Sequence, residues 1–191
     1  MTTITIFGSS LPDAESEIYE TARQLGRKIA ERGWVVCNGG YSGLMEASAR
    51  GAREAGGHTV GVTCAVWPAP ANPWIAEEVR APSFLERLLA LIGRGDAYVV
   101  LPGGTGTLAE LALVWEMMNK AALSKSVGGK KPLLAMTPYW QPVIDCLAQE
   151  AALGRAESAR MEASRRTLET VTRVASVEEV IAILRQSLQR D

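Results

Sequence analysis

Short apolar runs alternate with stretches of helical period along most of this chain. Within residues 3–8, Thr3 to Phe7 is rich in β-branched and aromatic types and stops at Gly8, which predicts a strand. Over 14–32 the period changes. Ile18, Ala22, Leu25 and Ile29 fall on one helix face, and Gly33 is placed to end it. Trp34 to Cys37 reads as a second strand, 42–55 as an Ala- and Gly-rich helix that approaches a neighbour closely, and His58 to Thr63 as a third strand. The stretch 64–81, with Pro68, Pro70 and Pro73, is too proline-rich for an element interior and reads as a shaped surface loop.

Ser83 with Glu86 has the spacing of a capping box and opens a helix over 83–93. Asp96 to Leu101 is the next strand, followed by PGGTGT and an apolar-striped helix over 107–123. KSVGGKK is a polar turn and residues 132–136 a strand. Thr137 is placed to cap a helix that starts at Pro138 and runs to about 149. Residues 151–166, rich in Ala, Arg, Glu and Ser, read as a loop or a loose helix. Leu168 to Val174 is a last strand, and Ser176 with Glu179 boxes the start of a helix to about 188. Strands alternating with helical crossovers predict one α/β domain over 1–191, a Rossmann-like three-layer fold. Its sheet is expected to be mostly parallel, with six to seven strands.

Charge and composition narrow the function. The 191 residues carry 20 Lys and Arg against 21 Asp and Glu, a net charge of -1, so no basic surface steers nucleic acid to this chain. Three scattered cysteines, Cys37, Cys64 and Cys146, form no disulfide framework and point to a reducing, cytoplasmic setting. With His58 as the sole histidine, no zinc-ligand spacing is present and no metal is expected. The first ten residues carry no basic residue and reach Gly8 early, so no signal peptide is expected, and no apolar run is long enough to span a membrane.

Two glycine loops carry the chemistry. Gly39-Gly40-Tyr41-Ser42-Gly43 and Pro102-Gly103-Gly104-Thr105-Gly106-Thr107 each follow an apolar strand and open a helix. Helix amides and glycine backbone can close around a phosphate there, with Ser42, Thr105 and Thr107 adding hydroxyl donors. Neither loop is a Walker A sequence. Gly104 to Ala109 matches GxGxxA, but it follows a later strand than a dinucleotide fingerprint should, and no acidic residue ends the next strand.

Glu110 stands three residues after Thr107. It reads as the second half of a capping box, as a carboxylate that faces a bound ribose, or as both at once. Arg87, between Leu85 and Leu88, is either a snorkelling rim residue or a clamp for an anion. His58 and Asp96 start strands at the end opposite the loops, and structural roles fit them. Cys37 reads as a small buried residue. Trp67 and Trp74 are candidates to stack on a base, or else packing anchors or interface residues.

Together, GSS at 8–10, GGYSGLMEA at 39–47, Arg87 and PGGTGTLAE at 102–110 resemble the LOG family of cytokinin riboside 5′-monophosphate phosphoribohydrolases. The resemblance covers about residues 3–148. It implies a homodimeric Rossmann-like enzyme without a cofactor. Such an enzyme cleaves the N-glycosidic bond of AMP or an N6-modified AMP to free base and ribose 5-phosphate. On matching positions it implies that Arg87 and Glu110 are catalytic. Gly8, Ser9, Gly39, Gly40, Ser42, Gly43, Gly103, Gly104, Thr105, Gly106 and Thr107 would then hold the nucleotide and its phosphate. The chain departs from the family's Met-x-x-Arg-Lys at Phe84 and Leu88, and from its GGG at Tyr41. The related molybdenum cofactor carrier proteins, which bind rather than cleave, share the fold and the glycine loops.

Overall fold

The structure is a computed structural model that describes residues 1–120, 131–149 and 169–188. Its elements run in the order β1 (Thr3–Phe7), α1 (Glu17–Ala30), β2 (Val35–Asn38), α2 (Leu44–Glu54), β3 (Thr59–Cys64), β4 (Glu77–Ala81) and α3 (Phe84–Arg94). There follow β5 (Ala97–Val100), α4 (Thr105–Asn119), β6 (Leu133–Met136), α5 (Gln141–Ala148), β7 (Thr172–Val174) and α6 (Val177–Leu188). Residues 121–123 of the expected fourth helix, all of KSVGGKK but Lys131, the stretch 151–166 and Leu168 lie outside the described residues.

All seven strands join one parallel sheet in the order β4-β3-β2-β1-β5-β6-β7. The chain winds outward from β1 to β4, then returns to the other side of β1 and winds out to β7. The direction therefore reverses between β1 and β5, and a crevice forms outside the carboxyl ends at such a reversal.

Strand alternation sends Ile4 and Ile6 to one face, where they pack against α1, α2 and α6 through Leu25, Ile29, Leu44 and Val180. Phe7, Tyr98 and Val100 point to the other face and meet α3, α4 and α5 through Leu91, Ile92, Leu111 and Ile144. Each of these fully buried large side chains contributes about 1.5–3 kcal/mol. The expected three layers are present, and the sheet is parallel throughout.

Local sequence explains most element ends. Ser16 accepts from the Tyr19 amide and starts α1. Gly33, at φ +71°, ends it. The small residues of α2 serve its contact with α1. A Cβ on Gly26 would collide with the Ser48 carbonyl, and one on Gly51 with that of Arg23. Ser83 accepts from the Glu86 amide at 3.3 Å and donates its hydroxyl to the Glu86 carboxylate at 2.6 Å. Ser176 accepts from Glu179, whose carboxylate takes the Ala175 amide. Asp96 accepts from the Thr3 amide at 2.9 Å, a structural role as expected.

Three expectations are corrected. Of the strand expected over Leu168 to Val174, only Thr172–Val174 forms one, and residues 169–170 are helical. The stretch 64–81 is not loop throughout, because Glu77–Ala81 forms β4 at the sheet edge. The helix expected from Pro138 starts at Gln141, with Pro142 in its first turn. Residues 137–140 form a turn instead. Trp140 Nε1 donates to Leu101 O at 3.0 Å, the Tyr139 hydroxyl to Gly103 O at 2.8 Å, and the Thr137 amide to Val174 O. These bonds hold the turn to the ends of β5 and β7, which displaces the helix start by a turn.

Candidate active site

At the carboxyl ends of β1, β2 and β5, three loops are stitched together. The Ser9 amide donates to Pro102 O at 3.0 Å, and Ser9 O accepts from the Leu44 amide at 2.9 Å. The Ser42 hydroxyl donates to Ser10 O at 3.0 Å. Both glycine loops therefore open on one cleft of about 560 Å³, within the roughly 300–1,000 Å³ of small-molecule sites.

Gly8, Ser9, Ser42, Gly104, Thr105, Gly106 and Thr107 line this cleft, as do Arg87 and Glu110. Gly39, Gly40, Gly43 and Gly103 do not. They stand behind the wall and make room for it. A Cβ on Gly39 would collide with Arg87 Nη2, and one on Gly43 would lie 2.5 Å from Ser9 O. Ser10, Leu11, Tyr41, Met45, Trp67, Ala69 and Phe84 complete the lining. Of these, Tyr41 and Phe84 carried a signal as departures from the family pattern; Leu11 and Ala69 carried none.

Arg87 projects from the first turn of α3 and is 5% exposed, so it is no snorkelling rim residue. Its Nε donates to Val62 O at 2.8 Å and its Nη2 to Gly39 O at 3.3 Å. The remaining arm, Nη1, stands 3.8 Å from Glu110 Oε1. The guanidinium lies against the rings of Trp67 and Tyr41, 5.2 and 5.6 Å from their centroids.

Glu110 is 8% exposed in the second turn of α4. The capping-box reading fails here. The helix begins three residues earlier than the T-x-x-E spacing requires, its N-cap is Gly104, and no side chain caps it. Burial pushes the Glu110 carboxyl up to about 7, and Arg87 offsets only part of that. The uncapped first turn leaves helix amides at residues lining the cleft, which is a ready anion site.

The other candidates fall outside. His58 is exposed at the opposite sheet end, 3.3 Å from Glu77. Cys37 is fully buried, and burial pushes its thiol up to about 11, so it is no nucleophile. The two tryptophans separate: Trp67 lines the cleft, whereas Trp74 packs under Arg50 and gives its carbonyl to Thr59. Among the described residues, no three His, Cys, Asp or Glu side chains come together to hold a metal ion. No described helix is long and apolar enough to cross a membrane.

The chain is similar to known proteins in sequence and in fold. The model of the SLOG cluster4 family matches residues 1–181. A Mycobacterium tuberculosis protein named cytokinin riboside 5′-monophosphate phosphoribohydrolase is 38% identical over 59% of this chain and 62% of its own length. The Oryza sativa subsp. japonica protein of the same name, LOG, is 30% identical over 82% of this chain and 65% of its own length. The chain thus spans less than two thirds of either relative. Among solved structures, the molybdenum cofactor carrier protein of Chlamydomonas reinhardtii superposes with a TM-score of 0.72 at 24% identity, over 99% of each chain. The molybdenum cofactor binding protein of Rippkaea orientalis gives 0.70 at 21% identity, over 98% of this chain and 97% of the other. These two likenesses concern the fold.

Proposed function

The chain belongs to the SLOG cluster4 family, and from that premise we propose that its cleft hydrolyses the N-glycosidic bond of a nucleoside 5′-monophosphate. The substrate is AMP or an N6-modified AMP, and the products are free base and ribose 5-phosphate. One observation carries this reading. A buried carboxylate, Glu110, sits one turn inside a helix whose uncapped N-terminus lines the same cleft. The names of the Mycobacterium and Oryza relatives support it.

The chemistry follows from charge. As the C1′–N bond breaks, its electron pair leaves with the base, which takes up a proton, and positive charge grows on C1′ and the ring oxygen. Water then bonds to C1′ and gives up a proton. The ionised Glu110 faces that growing charge and orients or deprotonates the water. The phosphate, held by the first-turn amides of α4 and by Thr105, Thr107 and Ser9, fixes the ribose at a distance from the reacting bond. Arg87, pinned by two carbonyls, holds Glu110 in place and favours its charged form.

The test compares wild type with Glu110→Gln on AMP and N6-modified AMP, measuring free base by chromatography. Glu110→Gln is expected to keep fold and AMP affinity and to lose about 10²-fold or more in turnover. Arg87→Ala is expected to lose activity, and His58→Ala to retain it. Equal base release by wild type and Glu110→Gln would sink this mechanism. Tight ligand binding by wild type with no base released would make the chain a nucleotide or molybdenum cofactor carrier.

The same reading makes the protein a cytoplasmic homodimer. Leu85, Leu89 and Leu108 stay exposed on the neighbouring helices α3 and α4, an apolar surface that a second copy would cover. Cys37, Cys64 and Cys146 are all unpaired, Cys146 at the surface, which fits a reducing compartment. Sedimentation at twice the chain mass is expected at micromolar concentration; a single-chain species would contradict the dimer.

A further inference from the structure

Tyr41, Trp67 and Phe84 form a continuous aromatic wall. Trp67 meets Tyr41 edge-on at 5.6 Å between centroids and Phe84 at 5.9 Å. These residues follow β2, β3 and β4 in turn, whereas the uncapped end of α4 follows β5, on the other side of β1. Arg87 and Glu110 bridge the two ends. One rim of the cleft therefore offers amides and hydroxyls, the middle a carboxylate, and the far rim flat π surface.

The wall is built to be used from outside. The Tyr41 hydroxyl accepts from the Cys64 amide at 2.8 Å and fixes that ring. Trp67 lies against Arg87 yet is 37% exposed, and Phe84 is 40% exposed, so each keeps surface open at the cleft. Packing alone gives no reason to leave two large aromatic rings open beside a cavity. Stacking on a flat heteroaromatic ring does, because every base presents a π face.

We infer that Trp67, with Phe84 beside it and Tyr41 behind, is the base-stacking subsite and selects purine over pyrimidine nucleotides by stacking area. The inference rests on reading the cleft as a nucleoside 5′-monophosphate site. Its test is a binding measurement, which is independent of turnover. AMP, CMP and ribose 5-phosphate are titrated calorimetrically into Glu110→Gln protein, in which the nucleotide persists, with Trp67 intact or changed to Ala or Phe. With Trp67 intact, AMP binds more tightly than CMP, and both more tightly than ribose 5-phosphate. Trp67→Ala weakens AMP about 5- to 150-fold and leaves ribose 5-phosphate within about 2-fold. Trp67→Phe restores most of the AMP affinity. A Trp67→Ala variant that weakens ribose 5-phosphate as much as AMP, or leaves AMP unaffected, overturns the subsite and leaves the nucleotide reading standing. If protein with Trp67 intact binds none of the three, the nucleotide reading fails and the subsite with it.

Discussion

The two glycine loops look alike in sequence and do opposite things in the fold. Residues 38–43 form a closed loop. Asn38 bridges the Gly40 amide and Met45 O, Gly40 and Gly43 take positive φ, and Gly39 and Gly43 are pressed against Arg87 and the backbone of Ser9. Residues 102–107 form an open loop. Gly104 and Gly106 are exposed, a Cβ on either would meet nothing within 4 Å, and the helix they start has no side-chain cap. In the first loop glycine is needed for fit, and the result is a scaffold that seats Arg87. In the second, Gly103 is packed against Thr107, but Gly104 and Gly106 keep space clear over free amides, which is what an anion needs. A glycine-rich strand-to-helix turn is thus ambiguous until one knows what crowds it.

The contrast breaks most visibly at Gly39. Gly39→Ala drives a methyl into Arg87 Nη2, so Arg87 must leave the Gly39 carbonyl and with it its place beside Glu110. Overpacking of this kind costs about 1–3 kcal/mol of stability. Base release is expected to fall about 10²-fold, as for the loss of a fixed catalytic contact. Denaturant unfolding and the chromatographic assay check both. A Gly39→Ala protein with wild-type turnover would show that Arg87 is not held by this loop in any way that matters.

Glu110 sharpens the same comparison, because it stands between the closed and the open loop. Its carboxyl is near 7 when folded and near 4.3 when unfolded, so the folded state binds the proton more tightly. The stabilising contribution is therefore complete below about pH 4.3 and is lost as pH rises through about 7. Above pH 8 the buried charge is expected to cost up to about 3 kcal/mol, so Glu110→Gln unfolds at higher denaturant than wild type at pH 8 and at the same concentration near pH 4.3. The kcat/KM of wild type is expected to rise with pH and to level above about 7, since the proposed mechanism uses the ionised form. A flat stability difference from pH 4 to 8 would show that Glu110 is not desolvated.

How much of this could be read from the sequence divides along physical lines. The layers were legible because Thr3 to Phe7 declares a strand by residue type, while Ile18, Ala22, Leu25 and Ile29 declare a buried helix face by period. The strand β4 was not, because Glu77, Glu78 and Arg80 are what an edge strand carries in place of an apolar run. Thr107 and Glu110 had the spacing of a cap, yet Gly104, Thr105 and Thr107 could each begin the helix, and only the backbone decides among them. The site followed the same rule. Arg87 and Glu110 were found through a motif, whereas the aromatic wall depends on β2, β3 and β4 lying side by side.

A scaffold contact of the closed loop can be removed without moving Arg87. Ser42 donates to Ser10 O at 3.0 Å across the seam between two loops and is itself exposed. Ser42→Ala is expected to lose about 0.5–1.5 kcal/mol, the net worth of one such bond, and thermal unfolding would register it. Loss of the fold would mean that the seam depends on this single bond.

The smallest effect belongs to the open loop and has the opposite sign. Gly106 lies in the first turn of α4 without a positive φ, so alanine suits its backbone, and no atom stands within 4 Å of the added methyl. Gly106→Ala restricts the unfolded chain and favours the helix, which predicts a gain of about 0.4–1 kcal/mol and a slightly higher melting temperature. The space it fills is part of the cleft lining, where the proposed phosphate sits. The methyl therefore stands against the ligand rather than against the protein, and AMP affinity is expected to drop while stability rises. The opposite responses of Gly39→Ala and Gly106→Ala are the signature of the comparison: one glycine is small for the sake of the fold, the other for the sake of the ligand. Should Gly106→Ala gain stability and keep full AMP affinity, the open loop would not be where the phosphate binds.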